Sequence, residues 1–364
     1  MKKLFYIFGF VILFAIDLYP QDVIYDIQNY LEGVTVYDIS SDGENIWFAT
    51  NGKGIYQYSL IKNKWYNYST NNKKLKLDFF YCITANKDYV WAGSTDGLYI
   101  YNKKRHRWIR RKFGKGGQLG NWIRSLSFDK YSNSVWIGRF QFLTRYNLST
   151  RRFTDYDLTV NGNDKSNTIK SIAVDGDSLL WIGTEAGVHK IYKHKKFRID
   201  STKKYYDNSL NYFNGEGDEV SVSSLLPGKE YIWFGTDEFI TPQNPNFNVG
   251  GLFRFNRKGE WIKFDKADGL QGNGIFSLAR TGNYLWVSVY HFNSQKKEAQ
   301  GLGLTLLNRV LLSVKPVNDE RIPNNVYKIF FDGTNIWLGT NKGAFKINLT
   351  NKLIPNFKDL NTEQ

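Results

Sequence analysis

The chain has 364 residues, of which 17% are aromatic, and its formal net charge is +15. This length suits one large β domain or two medium ones. The aromatic content, together with 32 Gly and only 7 Pro, favours strands joined by tight turns. Cys82 is the only cysteine, so an internal disulfide is excluded and stability must come from core packing.

The N-terminal segment differs in composition from the rest. It begins with Met-Lys-Lys, continues with the apolar run Leu4–Ile16 and turns polar from Asp17. This pattern is typical of a secretory signal, and the run is shorter than the roughly 20 residues of a membrane-spanning helix. We therefore predict a signal peptide over residues 1–21 and a single exported domain over 22–364, periplasmic, secreted or at the cell surface. The alternative is an uncleaved N-terminal anchor. No second long apolar segment follows, so no membrane span is predicted in the mature chain over 22–364.

A tryptophan-centred repeat occupies most of the chain. Successive anchoring tryptophans are separated by 44, 45, 45, 52, 53 and 51 residues, and a fixed period of this length indicates a repeat architecture. The seven anchors are Trp47, Trp91, Trp136, Trp181, Trp233, Trp286 and Trp337.

Each copy has the same order of predicted strands. An aliphatic residue lies 8–10 positions before the tryptophan, a polar turn follows, and the tryptophan strand leads through a second turn to a third strand. Most copies end with an aromatic fourth strand, such as Lys64–Tyr68 in the first copy and Lys196–Asp200 in the fourth. Four antiparallel strands per repeat of about 45 residues predict an all-β, seven-bladed β-propeller. The aliphatic anchors are Ile39, Ile83, Leu126, Ile172, Leu225, Leu278 and Ile329.

The repeated pattern Asp-Gly-x-x-(Ile/Leu/Val)-Trp-(Ile/Leu/Phe)-Gly-Thr-x-x-Gly resembles the two-component regulator propeller repeat. The resemblance covers about residues 34–350 and departs from the motif at Gly138-Arg139 and at Val287-Ser288. In that family the repeat builds the periplasmic ligand-sensing domains of bacterial hybrid sensor kinases. The resemblance therefore implies a sensor-like ligand-binding propeller. No kinase, transmembrane or DNA-binding segment follows the repeats before Gln364, so we expect a sensor-like propeller without the kinase part.

Either of two segments could supply the strand that closes the ring. Val23–Tyr30 reads as a spare fourth strand, and Lys352–Phe357 could fill the same place in the last blade. Proline suits only an edge position in a strand, and the second segment contains Pro355. We therefore predict that Val23–Tyr30 pairs with blade seven.

The first strands supply one set of candidate binding residues. Positions two and four before the aliphatic anchor should surround the mouth of the central funnel, where aromatic side chains could stack on sugars and cations could bind acidic groups. The alternative for the aromatic members is packing between blades. The candidates at these two levels are Tyr37, Phe79, Tyr81, Trp122, Arg124, Lys170 and Tyr327.

Insertions supply the second set. Thr236–Gly251, Val289–Gly303 and Asp200–Glu219 lengthen blades four to six, and long loops on a rigid scaffold often carry function. We predict that they rise over one face and bind a glycan or protein ligand there, although functionless variation of loop length would give the same pattern. The candidates in these loops are Asp237, Glu238, Tyr290 and His291.

Charge and catalytic patterning limit the remaining possibilities. Basic stretches at Lys103–Lys115, Arg151–Arg152 and Lys190–Lys204 predict either polyanion contact through blades two to four or a solvated outer face. Export argues against nucleic acid as a partner, and a monomer is expected.

No histidine pair has metal-ligand spacing and no cofactor is predicted, so a non-enzymatic binding module is favoured. The alternative is a propeller lyase or glycosidase acting on an acidic polysaccharide, with carboxylates from the loops.

Overall fold

The computed structural model describes residues 26–193, 203–208, 212–215, 219–240 and 248–349. These residues form seven antiparallel sheets of four strands each, which confirms the predicted seven-bladed propeller. The predicted signal peptide, most of the basic stretch after Lys193 and the segment Lys352–Phe357 lie outside the described residues. Within the described ranges, no helix has the length and apolar character needed to cross a membrane.

The strands follow one another in chain order around the propeller. Strand β1 (Asp26–Tyr30) precedes blade one, which contains β2 (Val36–Ser41), β3 (Asn45–Thr50), β4 (Ile55–Ser59) and β5 (Lys64–Tyr68). Blade two contains β6 (Cys82–Ala85), β7 (Tyr89–Ser94), β8 (Gly97–Asn102) and β9 (Arg107–Arg111). Blade three contains β10 (Ile123–Asp129), β11 (Ser134–Arg139), β12 (Leu143–Asn147) and β13 (Arg152–Tyr156). Blade four contains β14 (Ile169–Asp175), β15 (Leu179–Thr184), β16 (Val188–Tyr192) and β17 (Lys203–Tyr206).

The last three blades carry the insertions. Blade five contains β18 (Val222–Pro227), β19 (Ile232–Thr236), β22 (Leu252–Phe255) and β23 (Trp261–Phe264), with a small hairpin of β20 (Phe239–Ile240) and β21 (Asn248–Val249). Blade six contains β24 (Gly274–Thr281), β25 (Tyr284–Asn293), β26 (Glu298–Asn308) and β27 (Val314–Pro316), and blade seven contains β28 (Val326–Phe331), β29 (Asn335–Thr340) and β30 (Ala344–Asn348). Short 3-10 helices lie at Leu119–Asn121, Asp164–Asn167, Tyr212–Gly215 and Lys266–Asp268.

The N-terminal strand closes the ring. Strand β1 pairs antiparallel with β30 from Asp26 opposite Asn348 to Tyr30 opposite Ala344. Blade seven thus takes its outer strand from the start of the chain, as predicted, and the pairing removes a sheet edge that would otherwise be open.

The anchoring tryptophans pack between neighbouring blades. All seven are at most 3% exposed, and each lies in an apolar cluster with residues of the next blade. Trp47 packs with Ile83 of blade two, and Trp337 packs with Ile39 of blade one, so the contacts continue through the closure. The tryptophan strand is apolar on both faces because a neighbouring blade covers each face.

The Gly-Thr part of the repeat also has a structural role. A Cβ added at Gly138 or Gly235 would lie 2.5 Å from Ile169 or Ile275 of the next blade, so the next blade leaves no room for a side chain. The following hydroxyl secures the turn into strand three by donating to a glycine carbonyl at 2.6 to 3.2 Å, in Thr50, Ser94, Thr184, Thr236 and Thr340. The conspicuous motif therefore builds the scaffold.

Arg139 explains one departure from the motif. It occupies the threonine position of blade three, is fully buried, and donates from Nη1 to the carbonyl oxygens of Lys115 and Gly120 at 2.9 and 3.0 Å. Its Nη2 lies 3.1 Å from Asp155 Oδ1. The guanidinium thus fastens the linker between blades two and three in place of a hydroxyl.

Three expectations about the insertions differ from the structure. The strand that pairs with β16 as the fourth strand of blade four is β17 (Lys203–Tyr206), and the predicted strand Lys196–Asp200 lies outside the described residues. The segment after β17 is also more than a surface loop, because Phe213 is fully buried against Phe234 and Phe253. The long segment of blade six is not irregular either: β25 and β26 extend it into a hairpin.

Candidate functional site: the central funnel and its mouth

A β-bulge aims one side chain at the centre in six of the seven first strands. The register shifts at Tyr37, Arg124, Lys170, Ser223, Phe276 and Tyr327, and a bulge re-aims the side chain of the extra residue. These residues and Tyr81 line a central cavity of about 230 Å³, which we call the funnel. Pockets that enclose a drug-sized ligand measure roughly 300–1,000 Å³. The funnel therefore has room for one end of a longer ligand.

Aromatic side chains form a continuous arc along one side of the funnel. Tyr37 stacks on Tyr81 with ring centroids 5.7 Å apart, and Tyr327 meets Tyr37 edge-on at 5.3 Å. Tyr81 lies 6.0 Å from Trp122 and Trp122 stacks on Phe140 at 5.4 Å, which carries the arc to the mouth of blade three. At the other end, Phe276 contacts Tyr327 and stacks on Tyr290 at 4.3 Å. We call these seven residues, Phe140, Trp122, Tyr81, Tyr37, Tyr327, Phe276 and Tyr290, the aromatic arc.

Ion pairs across blade boundaries occupy the opposite side. Arg124 of blade three contacts Glu185 of blade four at 2.6 Å, and Lys170 of blade four contacts Asp237 of blade five. The sequence predicted the positions of both cations on the funnel but not that both are paired. Because each cation has a carboxylate partner, the two do not form the uncompensated positive pair that would attract an acidic group.

The partner carboxylates follow a rule that is visible in the sequence. Glu185 and Asp237 each lie four residues after the anchoring tryptophan, where the second strand reaches the mouth. In blades one, three, four, five and seven the amide of this residue donates to the residue four before the aliphatic anchor, for example Asp237 to Ser221 at 2.8 Å. The positions four after each tryptophan were therefore the signal that the sequence analysis missed.

Asp38 and Lys328 add a further ion pair to the funnel wall. Lys328 Nζ lies 2.8 Å from Asp38 Oδ1, and Asp38 Oδ2 accepts the amide of Ile83 at 2.8 Å. Both residues lie one position before the aliphatic anchor. The funnel wall thus contains an acidic group, although the two levels considered in the sequence contain none.

The loop candidates form two adjacent clusters at the mouth. Asp237 accepts from Ser221 at 2.5 Å and from Tyr290 Oη at 3.0 Å, in addition to Lys170. Burial alone would raise the pKa of Asp237, but the Lys170 ion pair and the hydrogen bonds from Ser221 and Tyr290 lower it below the ordinary value. Burial and the nearby Asp237 raise the pKa of Tyr290. Asp237 is therefore an anionic acceptor and Tyr290 a neutral donor.

Glu238 and His291 form the second cluster. His291 Nδ1 lies 3.2 Å from Glu238 Oε2, with the imidazole 45% exposed and the carboxylate 1% exposed. Glu238 also accepts the amide of Phe292. This pair joins the insertions of blades five and six. Within the described ranges, no three His, Cys, Asp or Glu side chains come together as a metal site requires.

Phe79 is the candidate that the structure separates from the others. It is 47% exposed, and its ring lies against Gly52, where an added Cβ would be 3.4 Å away. It covers the turn after β3 at the rim, outside the residues that line the funnel. The other ten candidates lie in the funnel wall or at its mouth.

The described part of the outer basic segment is partly neutralised. Arg110 and Lys112 both pair with Asp96, while Arg111 lies over the Phe153 ring at 4.9 Å. Contact of this surface with a polyanion stays a prediction.

Comparisons with known proteins agree with the architecture. No family model matches the chain. A histidine kinase P4 of Formosa agariphila is 25% identical over 177 residues, which is 45% of this chain and 13% of that protein. The extracellular domain of a putative hybrid two-component system of B. thetaiotaomicron superposes with a TM-score of 0.64 at 23% identity, covering 89% of this chain and 40% of that one. Virginiamycin B lyase from Staphylococcus aureus has the same TM-score at 14% identity, covering 90% of this chain and 100% of that one.

These likenesses establish the fold and agree with the resemblance seen in the repeat. The chain spans well under half the length of the two sensor proteins it matches, so their complete activities do not transfer. The chain is a seven-bladed β-propeller similar to a histidine kinase in sequence and to the extracellular domain of a two-component system in structure.

Proposed function

We propose that this protein is an exported, non-enzymatic, sensor-like propeller that binds a glycan-related ligand at the mouth of its funnel. The observation that carries the proposal is the side-by-side placement of the aromatic arc and the ion-paired side chains. Sugar rings present apolar C–H faces that stack on aromatic side chains and hydroxyls that need donors and acceptors. The arc supplies the first kind of surface, and Asp237, Lys170 and Tyr290 supply the second.

The pairing of the cations shapes the choice of ligand. Arg124 and Lys170 already neutralise Glu185 and Asp237, so a neutral sugar at the end of a glycan suits the funnel better than an acidic one. If a ligand carboxylate displaced Glu185 or Asp237, the displaced side chain would lose its cationic partner at a partly buried site, at a cost of about 1–3 kcal/mol.

A second candidate is a lyase or glycosidase that acts on an acidic polysaccharide. The observation that favours it is the exposed His291 held by the buried Glu238 at 3.2 Å, because a carboxylate that orients a histidine is a common feature of general acid–base catalysis.

A glycan array followed by a turnover assay separates the two candidates. Binding without release of shorter products is the expected result, and it should persist in His291→Ala. Release of products by the purified protein, abolished in His291→Ala and retained in the neighbouring control Gln295→Ala, would instead establish the enzyme.

A further inference from the structure

Cations on the face opposite the mouth tie neighbouring blades together. The residue after strand three donates its amide to the strand-one-to-two turn of its own blade, as in Lys103 to Asp88 at 3.0 Å and Lys193 to Ser178 at 2.7 Å. The side chains of these lysines donate to a second carbonyl of the same turn, Asn86 at 2.5 Å and Gly176 at 2.9 Å. The backbone thus fixes this position in blades one, two, three, four and six.

Each of these cations also pairs with an aspartate of the preceding blade. Lys103 contacts Asp42 of blade one, and Lys193 contacts Asp129 of blade three at 2.9 Å. In blade five, Arg257 contacts Asp175 of blade four at 2.7 Å and donates to its own turn at Gly228 O at 2.6 Å. In each of these blades, one cation lies between the strand-one-to-two turn of its own blade and an aspartate carboxylate of the preceding blade.

Blade six has the corresponding cation, Arg309, but the preceding blade supplies no aspartate to pair with it. The Arg309 amide donates to Asn283 O at 2.8 Å and its Nη1 to Gly282 O at 2.9 Å, as in the other blades. In blade five the place of the aspartate is taken by Gly228, whose amide donates to Tyr231 O as that of Asp42 donates to Asn45 O. Within the described ranges, Arg309 has no ion-pair partner within 4.0 Å.

The backbone angles of Gly228 are open to other residues, although a side chain here would need a small shift of the turn. The φ of Gly228 is not positive, and an added Cβ would lie 3.1 Å from Tyr231 O and 3.7 Å from Arg280 Nη1. A side chain here would point towards a second arginine. The glycine therefore leaves an open space where the corresponding residues of blades one, three, four and seven, Asp42, Asp129, Asp175 and Asp332, place a carboxylate.

The open space is a cleft between blades five and six. Two adjoining cavities of about 180 and 430 Å³ share Glu230, Tyr231, Trp233 and Arg309 in their walls. Arg280 lines the smaller cavity and Arg254 the larger, with its guanidinium 4.4 Å from the Tyr231 ring centroid. Burial and the like charge of Arg280 lower the pKa of Arg309, while Glu230 opposes them.

We propose that this cleft binds a carboxylate-bearing ligand of the size of a sugar acid, with the ligand carboxylate in the place of the absent aspartate. Guanidinium groups bind carboxylates through paired hydrogen bonds, and the cleft presents Arg309 and Arg280 to the open position. The wall also contains Lys229 and Glu230, so its net charge is positive and suits an anionic ligand. The larger cavity accommodates the body of a single sugar acid.

Calorimetric titration with sodium galacturonate tests this site. Galactose, sodium phosphate and sodium chloride at matched ionic strength are the comparison ligands. Trigalacturonate tests whether the end of a polymer binds. We expect galacturonate to bind and galactose and chloride to give no signal. Tighter binding of trigalacturonate than of the monomer would identify a polymer end as the source. Binding of phosphate more tightly than galacturonate would overturn the carboxylate assignment.

Two variants test the position of the carboxylate. Gly228→Asp supplies the missing group, so it should raise Tm without ligand and weaken galacturonate at least about tenfold, or 1.4 kcal/mol. Arg309→Leu installs the residue that blades one and three hold at this position, Leu60 and Leu148, and should weaken binding similarly while the circular dichroism spectrum is preserved. Gly228→Ala and the exposed Lys258→Gln should bind within about twofold of wild type.

Unchanged galacturonate binding in a folded Arg309→Leu protein would refute the proposal, as would no binding by the wild type. The cleft lies on the face opposite the mouth, so the result is independent of the proposed glycan site. Changes in the funnel should not alter galacturonate binding here.

Discussion

Charged side chains around the funnel act in pairs that cross from one blade to the next. Lys170 is 18% exposed and Asp237 24% exposed, so the pair is shielded from water without being fully desolvated. Such a pair orients both side chains, and its carboxylate also accepts from Ser221 and Tyr290. Losing the lysine would leave Ser221 and Tyr290 hydrogen-bonded to an anion without a counter-charge.

We expect Lys170→Gln to lower the free energy of unfolding at pH 7 by about 1–3 kcal/mol. The pKa of Asp237 is lowered in the folded protein, so its contribution is complete above the unfolded value of about 3.9 and is lost as the pH falls below it. The variant should therefore lose less stability than wild type between about pH 5 and pH 3. Urea unfolding across this range measures the difference, with the exposed Lys258→Gln as control. Parallel curves for wild type and Lys170→Gln would show that the pair does not set the pKa.

Strand β1 is the element that closes the ring. Its five residues come from the start of the chain and complete the sheet formed by its end. The ring is thus closed by hydrogen bonds between segments more than 300 residues apart in sequence. Without β1, the outer edge of β30 would be open to pairing with other chains.

Removing residues 1–30 should therefore lower Tm and promote association, whereas removing only residues 1–21 should do neither. Thermal unfolding and size-exclusion chromatography of the two truncated proteins measure these effects. Equal Tm values and elution volumes would mean that β1 contributes nothing to closure.

The sequence predicted the elements where local pattern and tertiary role coincide. The tryptophan strands are apolar on both faces and recur in phase, so their burial between blades could be inferred from Trp47 and its counterparts. The fourth strand of blade four could not. Lys196–Asp200 alternates polar and apolar residues, whereas Lys203–Tyr206 does not. Strand β17 is defined instead by its pairing with β16 and by the packing of Tyr206 in the cluster that contains Phe213. These are contacts that a single segment does not encode.

On the scale of the whole molecule, the propeller separates two chemically different faces. The mouth combines stacking surfaces with neutralised charges, and the opposite face has an arginine-rich cleft where Gly228 takes the place of an aspartate. The sequence indicated most of the residues that surround the funnel, because they recur two positions before the aliphatic anchors. It did not indicate partners such as Glu185, because an ion pair between blades joins positions about 60 residues apart.

The candidate site at the funnel is formed by side chains and insertions of one closed ring. Each blade is packed on both faces through its tryptophan and its neighbour's, so the funnel wall is preorganised. A preorganised wall lowers the entropic cost of binding a ligand. The insertions of blades five and six, joined by Glu238 and His291, extend this wall beyond the blades.

Binding of a glycan end by the aromatic arc is measured by titrating the best array ligand into wild type and Trp122→Ala. Trp122 stacks on Phe140 and contacts Tyr81 at the mouth, and losing one stacking surface should weaken binding about fivefold to tenfold, or 1.0–1.4 kcal/mol. The rim variant Phe79→Ala should stay within about twofold of wild type. Equal affinity of wild type and a folded Trp122→Ala protein would contradict the account.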